Sequence, residues 1–180
     1  MSPGSYASGG FMSGKEPILM ANWKHADEQY LRMAIDLATA NVVSGAGGPF
    51  GAVIVKDGVV IATGVNKVTA SNDPTAHAEV TAIRAAAAAL GSFELKGCTI
   101  YSSCEPCPMC LGAIYWSRVD ALYFGSTAQD AADAGFDDSF FYDELRMSIG
   151  ERSLPTVNLM RDEAEESFQA WKKSTGRIEY

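Results

Sequence analysis

Two short runs constrain the fold of this chain more than any other feature of its sequence. The first is TAHAEV at residues 75–80, and the second is CEPCPMC at residues 104–110. Together they supply an imidazole, a carboxylate and several thiols, which are side chains that bind a metal ion or act beside it. The chain has to fold so that these runs, about thirty residues apart, meet at one point.

His77, Cys107 and Cys110 are the predicted ligands of one catalytic zinc ion. A zinc site that performs chemistry has three protein ligands and leaves a fourth position open to water. The two cysteines are three residues apart, so at the start of a helix both sulfur atoms project from one face. There the helix dipole favours the thiolate, which is the form that binds metal.

Prolines predict where the helices that carry these ligands begin. Pro106 suits the entrance of a helix, where a backbone donor is not needed. Pro74, with Asn72 or Asp73 as the cap before it, suits the entrance of the other helix. We therefore expect His77 to lie in the first, irregular turn of its helix.

Glu79 is predicted to carry protons rather than to bind the metal. It would take a proton from the water that zinc activates and deliver it to the substrate. A His-x-Glu run followed by Pro-Cys-x-x-Cys is the general signature of zinc nucleobase deaminases. Either half of this signature alone is weak evidence for a deaminase, because a lone Cys-x-x-Cys also occurs in redox pairs and structural zinc knuckles.

Cys104 raises an alternative interpretation of the cluster. With His77 and the cysteine pair it would close a structural zinc site of the Cys3His type, and the chain would then be an interaction module without an open metal position. We expect instead that Cys104 ends a strand and points away from the pair. Cys98 and Cys104 are interpreted as buried thiols, the commoner state of a free cysteine.

The composition favours one cytoplasmic domain that binds a small molecule. Residues 1–24 are rich in Gly and Ser and are predicted to be a disordered leader or tag, followed by a single domain at 25–180. Four cysteines, two of them assigned to zinc, indicate a reducing compartment. No apolar run approaches the roughly 20 residues that span a membrane. The net charge of −8 argues against a nucleic-acid partner.

The hydrophobic pattern predicts an α/β fold, a mixed sheet with helices on both faces. An Asp57-Gly58 turn between two β-rich runs, 50–55 and 59–62, is typical of a hairpin. Later strands alternate with helices, which requires crossover connections and favours parallel pairing. The later strands are expected at 99–102, 121–124 and 156–160, and the helices at 26–44, from the His77 run to 90, and at 107–116, 127–134, 139–146 and 163–173.

Four longer runs make the match closer than the zinc motif alone. They are GGPFGAV at 47–53, SNDPTAHAEVTAIR at 71–84, residues 103–116, and AGFDDSF at 134–140. These runs resemble the bacterial guanine deaminases, within the cytidine deaminase superfamily. The resemblance covers nearly everything after the leader, which has no counterpart in that family, and it is loose at 143–158. It implies a three-layer α/β/α sandwich with a mixed five-stranded sheet, one Zn2+ per subunit, and hydrolysis of guanine to xanthine and ammonia.

The resemblance also implies roles for residues outside the zinc motif. Asn66 is expected to hydrogen-bond the purine, and Phe50 to pack on its ring. Asp138 is expected to be a second acidic group that binds the substrate and carries protons to the departing amine, with Asp137 as the alternative. By residue type alone, these would be a turn residue, a core aromatic and a solvated pair or helix cap.

In that family the C-terminal segment is exchanged between the two subunits of a homodimer. Tyr180 would then cap the partner's pocket and Trp116 would line it, although by residue type Trp116 is a core aromatic. The rival activities are deamination of guanosine, of aminotriazines or of adenosine in tRNA. A lid at Tyr180 should deny room for a ribose, and the acidic balance counts against tRNA.

Overall fold

The computed structural model of the protein describes residues 25–180, with side chains from residue 28 onward. The expected leader at 1–24 lies outside these described residues. The strands are β1 (Gly51–Lys56), β2 (Val59–Val65), β3 (Cys98–Cys104) and β4 (Ala121–Ser126). The helices are α1 (His25–Val43), α2 (Val68–Ser71), α3 (Ala78–Leu90), α4 (Pro108–Ser117), α5 (Ala128–Asp133), α6 (Ser139–Arg146) and α7 (Arg161–Lys173), with a 3-10 turn at Ile149–Glu151. None of the helices described here has both the length and the apolar character needed to cross a bilayer.

The strands of this described part form one mixed sheet in the order β2-β1-β3-β4. Strand β1 pairs antiparallel with β2 and with β3, whereas β3 pairs parallel with β4. The hairpin turn has positive φ at Asp57 (50°) and at Gly58 (78°), as a type I′ turn requires. The predictions of an α/β fold and a mixed sheet are therefore confirmed.

The prediction of a fifth strand at residues 156–160 was wrong for the described chain. This segment has no regular secondary structure, and Val157 and Leu159 are each 75% exposed. Its composition favours a strand, but a strand also needs a neighbouring edge with which to exchange backbone hydrogen bonds. The described chain pairs no edge of its own sheet with this segment.

Alternating side chains of the sheet bury two apolar clusters on opposite faces. Val53 and Tyr101 pack with Ala34 of α1 on one face. Ile54 and Ile100, which are their neighbours along β1 and β3, belong to the cluster that α3 and α4 cover on the other face. Because successive residues of a strand point to opposite faces, a few apolar residues in each strand are enough to fix both helix layers.

Two glycines let helices approach the sheet more closely than any side chain would allow. A Cβ atom added at Gly64 of β2 would overlap the backbone oxygen of Ala78 and lie 2.5 Å from the nitrogen of Ala82. A Cβ atom added at Gly51 of β1 would overlap the backbone oxygen of Ala34. The start of α3 is therefore held directly against β2, and α1 against β1.

Gly64→Ala is expected to lower the free energy of unfolding by about 3 kcal/mol, because the new methyl group has to push α3 away from β2. Urea unfolding followed by circular dichroism measures this change. Gly150→Ala is the matched control, since a Cβ atom there would meet nothing within 4 Å. A Gly64→Ala variant as stable as the parent would contradict the close approach.

Candidate active site

The two helices that carry the predicted ligands begin at those ligands. His77 is the N-cap of α3 (φ −69°, ψ 159°), and Cys107 is the N-cap of α4 (φ −61°, ψ 167°). Neither side chain hydrogen-bonds its own helix in a capping interaction. Both side chains point instead to one place, which Cys110 also reaches from the first turn of α4.

The predicted helix starts are displaced by a few residues. Pro108, and not Pro106, occupies the first position of α4. Asn72 ends α2 in the left-handed conformation (φ 50°), so it does not cap α3. His77 consequently precedes α3 rather than lying in its first turn. Asn and Asp favour turns as well as caps, and the pattern alone did not separate the two roles.

The imidazole nitrogen of His77 lies at the distance from each predicted ligand sulfur that a tetrahedral zinc ion requires. His77 Nδ1 is 3.6 Å from Cys107 Sγ and 3.5 Å from Cys110 Sγ. Zinc bonds of about 2.3 Å to sulfur and about 2.0 Å to nitrogen, at tetrahedral angles, place those atoms about 3.5 Å apart. Metal sites in proteins are built from His, Cys, Asp and Glu side chains. In the part of the chain that the structure describes, only this group brings three or more of them together with all ligand atoms within 4.8 Å of one another. The donor set fits a zinc ion with one open position.

Cys104 does not join this group. It ends β3, and its thiol donates a hydrogen bond to the backbone oxygen of Thr127 at 3.5 Å. Burial raises the pKa of Cys104 to about 11, which disfavours the thiolate that a metal needs. Cys98 and Cys104 are both buried, free thiols, as predicted. The geometry therefore favours the open site over the closed Cys3His site.

The electrostatics around the ligands favour one thiolate before any cation binds. A hydrogen bond with Cys110, and then one with His77, lowers the pKa of Cys107 to about 4. The same contact with Cys107 raises the pKa of His77. The pKa of Cys110 is raised, first by its contact with the Cys107 sulfur and then by burial, so Cys110 keeps its thiol proton. A bound cation would displace this remaining proton.

Cys107→Ser and Cys110→Ser are each expected to weaken zinc binding by at least about tenfold, because a hydroxyl replaces a thiolate ligand. Zinc content after dialysis against a chelator of moderate affinity measures this loss. Cys104→Ser is the control and is expected to keep the zinc content of the parent. Equal zinc loss in Cys104→Ser and Cys107→Ser would instead indicate a closed, four-ligand site.

Glu79 reaches the ligand group from the first turn of α3 and is only 6% exposed. Its Oε2 accepts a hydrogen bond from Cys110 Sγ at 3.3 Å, and its Oε1 accepts one from the Ser102 hydroxyl at 3.2 Å. Burial raises the pKa of Glu79 above its usual value. A buried carboxylate of this kind is suited to accept and return a proton near neutral pH.

His77, Cys107 and Glu79 line a cavity of about 570 Å³. The volume lies within the roughly 300–1,000 Å³ usual for small-molecule sites. Four of the predicted substrate contacts line the same cavity, namely Phe50, Asn66, Asp137 and Asp138. The fold thus brings together residues from five separate parts of the sequence, 45–50, 66–69, 77–79, 104–107 and 128–141.

Two aromatic residues that the sequence analysis did not single out, Phe136 and Phe141, also line the cavity. Phe136 packs edge-on against Phe50, with ring centroids 5.0 Å apart and planes at 87°. The sequence feature that could have indicated Phe136 is its position next to Asp137 in the run AGFDDSF. Phe50 and Phe136 together provide an apolar wall for a flat ring.

Asn66 is held by a buried asparagine that the pattern analysis missed. Asn41, near the end of α1, is 5% exposed, and its Nδ2 donates to the backbone oxygens of Asn66 and Gly48, each at 2.9 Å. The N–H of Asn66 donates in turn to the backbone oxygen of Phe50 at 3.1 Å. The Asn41 side chain therefore connects α1 to the backbone at Gly48 before β1 and at Asn66 after β2. The sequence feature that could have revealed this role is an amide on the apolar side of a predicted helix.

The two aspartates in the cavity differ in environment. Asp138 is the half-buried N-cap residue of α6, and burial followed by the charge of Cys107 raises its pKa. Asp137 is exposed, and its Oδ1 accepts a hydrogen bond from the Ser139 N–H at 2.9 Å. Hydrogen bonding to Ser139 lowers the pKa of Asp137. Asp138 is therefore the aspartate that holds a proton more readily.

Trp116 and Tyr180 lie together, but away from the cavity of their own chain. Their ring centroids are 5.9 Å apart, and the Tyr180 ring also packs against Phe93 at 6.3 Å. Trp116 is six residues beyond Cys110 on α4, which is about 9 Å along the helix axis. The expected contact of Tyr180 with a partner's pocket stays a prediction.

The donor set, the open metal position and the buried carboxylate are typical of hydrolases that use zinc to remove amino groups from bases. Residues 24–126 match the family described as the cytidine and deoxycytidylate deaminase zinc-binding region. The chain belongs to this family. The matched segment contains the three ligand residues and Glu79.

The relatives of this chain differ in how much of it they cover. Guanine deaminase of Bacillus subtilis (strain 168) is 54% identical over 85% of this chain and 98% of the relative, and its X-ray structure superposes with a TM-score of 0.83. A structure of guanine deaminase from Nitrosomonas europaea is 34% identical over 62% of this chain and 65% of that one, with a TM-score of 0.59. The tRNA-specific adenosine deaminase of Agrobacterium fabrum is 50% identical, but over only 46% of this chain and 53% of the relative.

Proposed function

We propose that this protein is a zinc-dependent guanine deaminase, which hydrolyses guanine to xanthine and ammonia. One observation carries the proposal: the buried carboxylate of Glu79 lies 3.3 Å from the ligand sulfur of Cys110, inside a cavity of about 570 Å³. The 54% identity to a guanine deaminase, along 98% of that relative, supports guanine as the substrate.

The proposed chemistry needs one proton carrier beside one metal position. Zinc, one ion per subunit on His77, Cys107 and Cys110, would supply the Lewis acid that makes water a nucleophile at neutral pH. Glu79 accepts a proton from the attacking water at Oε2 and gives it to the ring nitrogen beside the amino-bearing carbon. The water oxygen adds to that carbon and keeps one hydrogen as a hydroxyl. That hydroxyl proton passes by way of Glu79 or Asp138 to the amine, the C–N bond breaks, and the amine leaves as ammonia.

The remaining cavity residues have proposed parts in binding and orienting the purine. The Asn66 amide offers both a donor and an acceptor to the polar edge of the ring. Phe50, supported by Phe136, packs on the ring face and excludes water from the reacting carbon.

Asp138 is the proposed second acidic group, which holds the substrate and passes a proton to the departing amine. Its half-buried position and raised pKa support this part, whereas the hydrogen bonds that Asp137 accepts favour its ionised form. Asp137 is then a lining residue without a proton to give.

Glu79→Gln is expected to retain zinc but to lower kcat for guanine by at least about a thousandfold, because an amide cannot accept the proton of water. Ammonia release from guanine, guanosine and aminotriazines, with zinc content measured in parallel, checks both statements. Near-normal guanine turnover by Glu79→Gln would refute the proposed role of Glu79 as the proton carrier. A parent enzyme that prefers the nucleoside or a triazine would refute the choice of substrate.

The tRNA alternative has less support than the purine base. The net charge is −8, whereas a nucleic-acid partner usually needs a basic surface. The tRNA-specific adenosine deaminases also match less of this chain, 46% to 68%, than the guanine deaminase, which matches 85%. A small uncharged substrate needs no such surface.

A homodimer with exchanged C-terminal segments is the proposed assembly. Every residue from 153 to 180 is exposed in the single chain, and α7 exposes Phe168 and Trp171 on one side. A segment that exposes several large apolar side chains normally marks a surface that another chain covers. Trp116 and Tyr180 would then meet a pocket of the partner, which agrees with their distance from the cavity of their own chain.

Mixing two impaired variants tests this exchange. Glu79→Gln lacks the proton carrier, and Tyr180→Ala is expected to lack the cap. If Tyr180 caps the partner's pocket, a mixed dimer contains one complete site and should recover about half of the parent activity per dimer. Co-refolding both chains and measuring guanine turnover tests this, with each variant refolded alone as the control. No recovery in verified mixed dimers would mean that the cap acts within one chain.

We also propose that residues 25–180 form a single domain that works in the cytoplasm. All four cysteines are free, two of them in the metal group and two buried, which suits a reducing compartment.

A further inference from the structure

Ser102 lies on the β3 face that points toward α3 and α4. Cys98 and Ile100, the alternate residues before it, belong to the apolar cluster on that face. Ser102 continues the same row and is 2% exposed, so a hydroxyl stands where the pattern would place an apolar side chain. A buried hydroxyl is costly unless it forms a hydrogen bond.

The partner of this hydroxyl is Glu79. Ser102 Oγ donates to Glu79 Oε1 at 3.2 Å, while Cys110 Sγ donates to the other carboxylate oxygen. A metal-binding Cys110 is a thiolate and has no proton left to donate. Of these two side-chain donors, only the Ser102 hydroxyl then remains for the carboxylate.

We propose that Ser102 is a positioning residue that fixes the Glu79 carboxylate for proton transfer. Its hydroxyl holds Oε1, which leaves Oε2 directed toward the reacting water. This inference rests on the proposed role of Glu79. A reacting group displaced by about 1 Å can lose a hundredfold in rate, so one hydrogen bond to the proton carrier has a measurable effect.

Neighbouring Ser103 offers a matched comparison. Its Oγ accepts a hydrogen bond from the Gly51 N–H at 3.0 Å, on a buried part of the sheet, whereas the side-chain donors to Glu79 are Ser102 and Cys110. Ser103→Ala therefore removes a buried hydroxyl from the same strand without removing a donor from the carboxylate.

The test uses two pairs of variants that differ in one hydroxyl. The parent serine and Ser102→Ala form one pair, and Ser102→Thr and Ser102→Val form the other, in which the two side chains have nearly the same shape. We expect kcat for guanine to fall about 10- to 100-fold in Ser102→Ala and Ser102→Val, with KM changed less than about threefold. Ser102→Thr and Ser103→Ala should stay within about threefold of the parent.

Two further measurements separate positioning from a packing role. Zinc content should agree between Ser102→Thr and Ser102→Val. The infrared carboxylate band that disappears in Glu79→Gln should shift in Ser102→Ala and Ser102→Val, but not in Ser102→Thr. Equal kcat in Ser102→Thr and Ser102→Val, or an unshifted band, would overturn the inference. A parent enzyme without guanine turnover would instead overturn the proposed function, whatever the infrared band does.

Discussion

The catalytic arrangement depends on two helices that begin at the same edge of the sheet. α3 follows β2 and the short α2, α4 follows β3, and the N-cap residues of these helices, His77 and Cys107, belong to the group that could hold a metal ion. Helix N-termini carry partial positive charge, which stabilises thiolate sulfur and a nearby carboxylate. Two ligands that are distant in sequence therefore share one point because two helix starts share one edge.

Close packing of α3 and α4 against the sheet determines where the two helix starts meet. Gly64 lets the start of α3 lie directly against β2, and the cluster around Ile100 fills the space between the sheet and both helices. Interiors at this density do not deform continuously, so the separation of His77 from Cys110 is determined by the whole layer rather than by the loops alone. The buried partners of Glu79 belong to the same layer.

Much of the site followed from residue order and spacing. The HAE and CPMC runs predicted the ligand group and its open position, and the Asp57-Gly58 turn predicted the hairpin. Asn41, Ser102 and Phe136 were missed, because one polar or aromatic residue in a buried segment looks the same whether it fills space or holds a functional group. The composition of 156–160 predicts a strand, but composition does not show whether a neighbouring strand is available for pairing.

The sequence by itself determined the chemistry: which atoms can bind zinc, which carboxylate can move a proton, and which runs alternate as strand and helix. Only the tertiary structure decided which of these groups meet. It placed Phe50, Asn66 and Asp138 in one cavity with His77, and it put Tyr180 elsewhere in the chain. The reason is that spacing along a chain limits local geometry within one element, whereas distances between elements depend on the packing of every side chain between them.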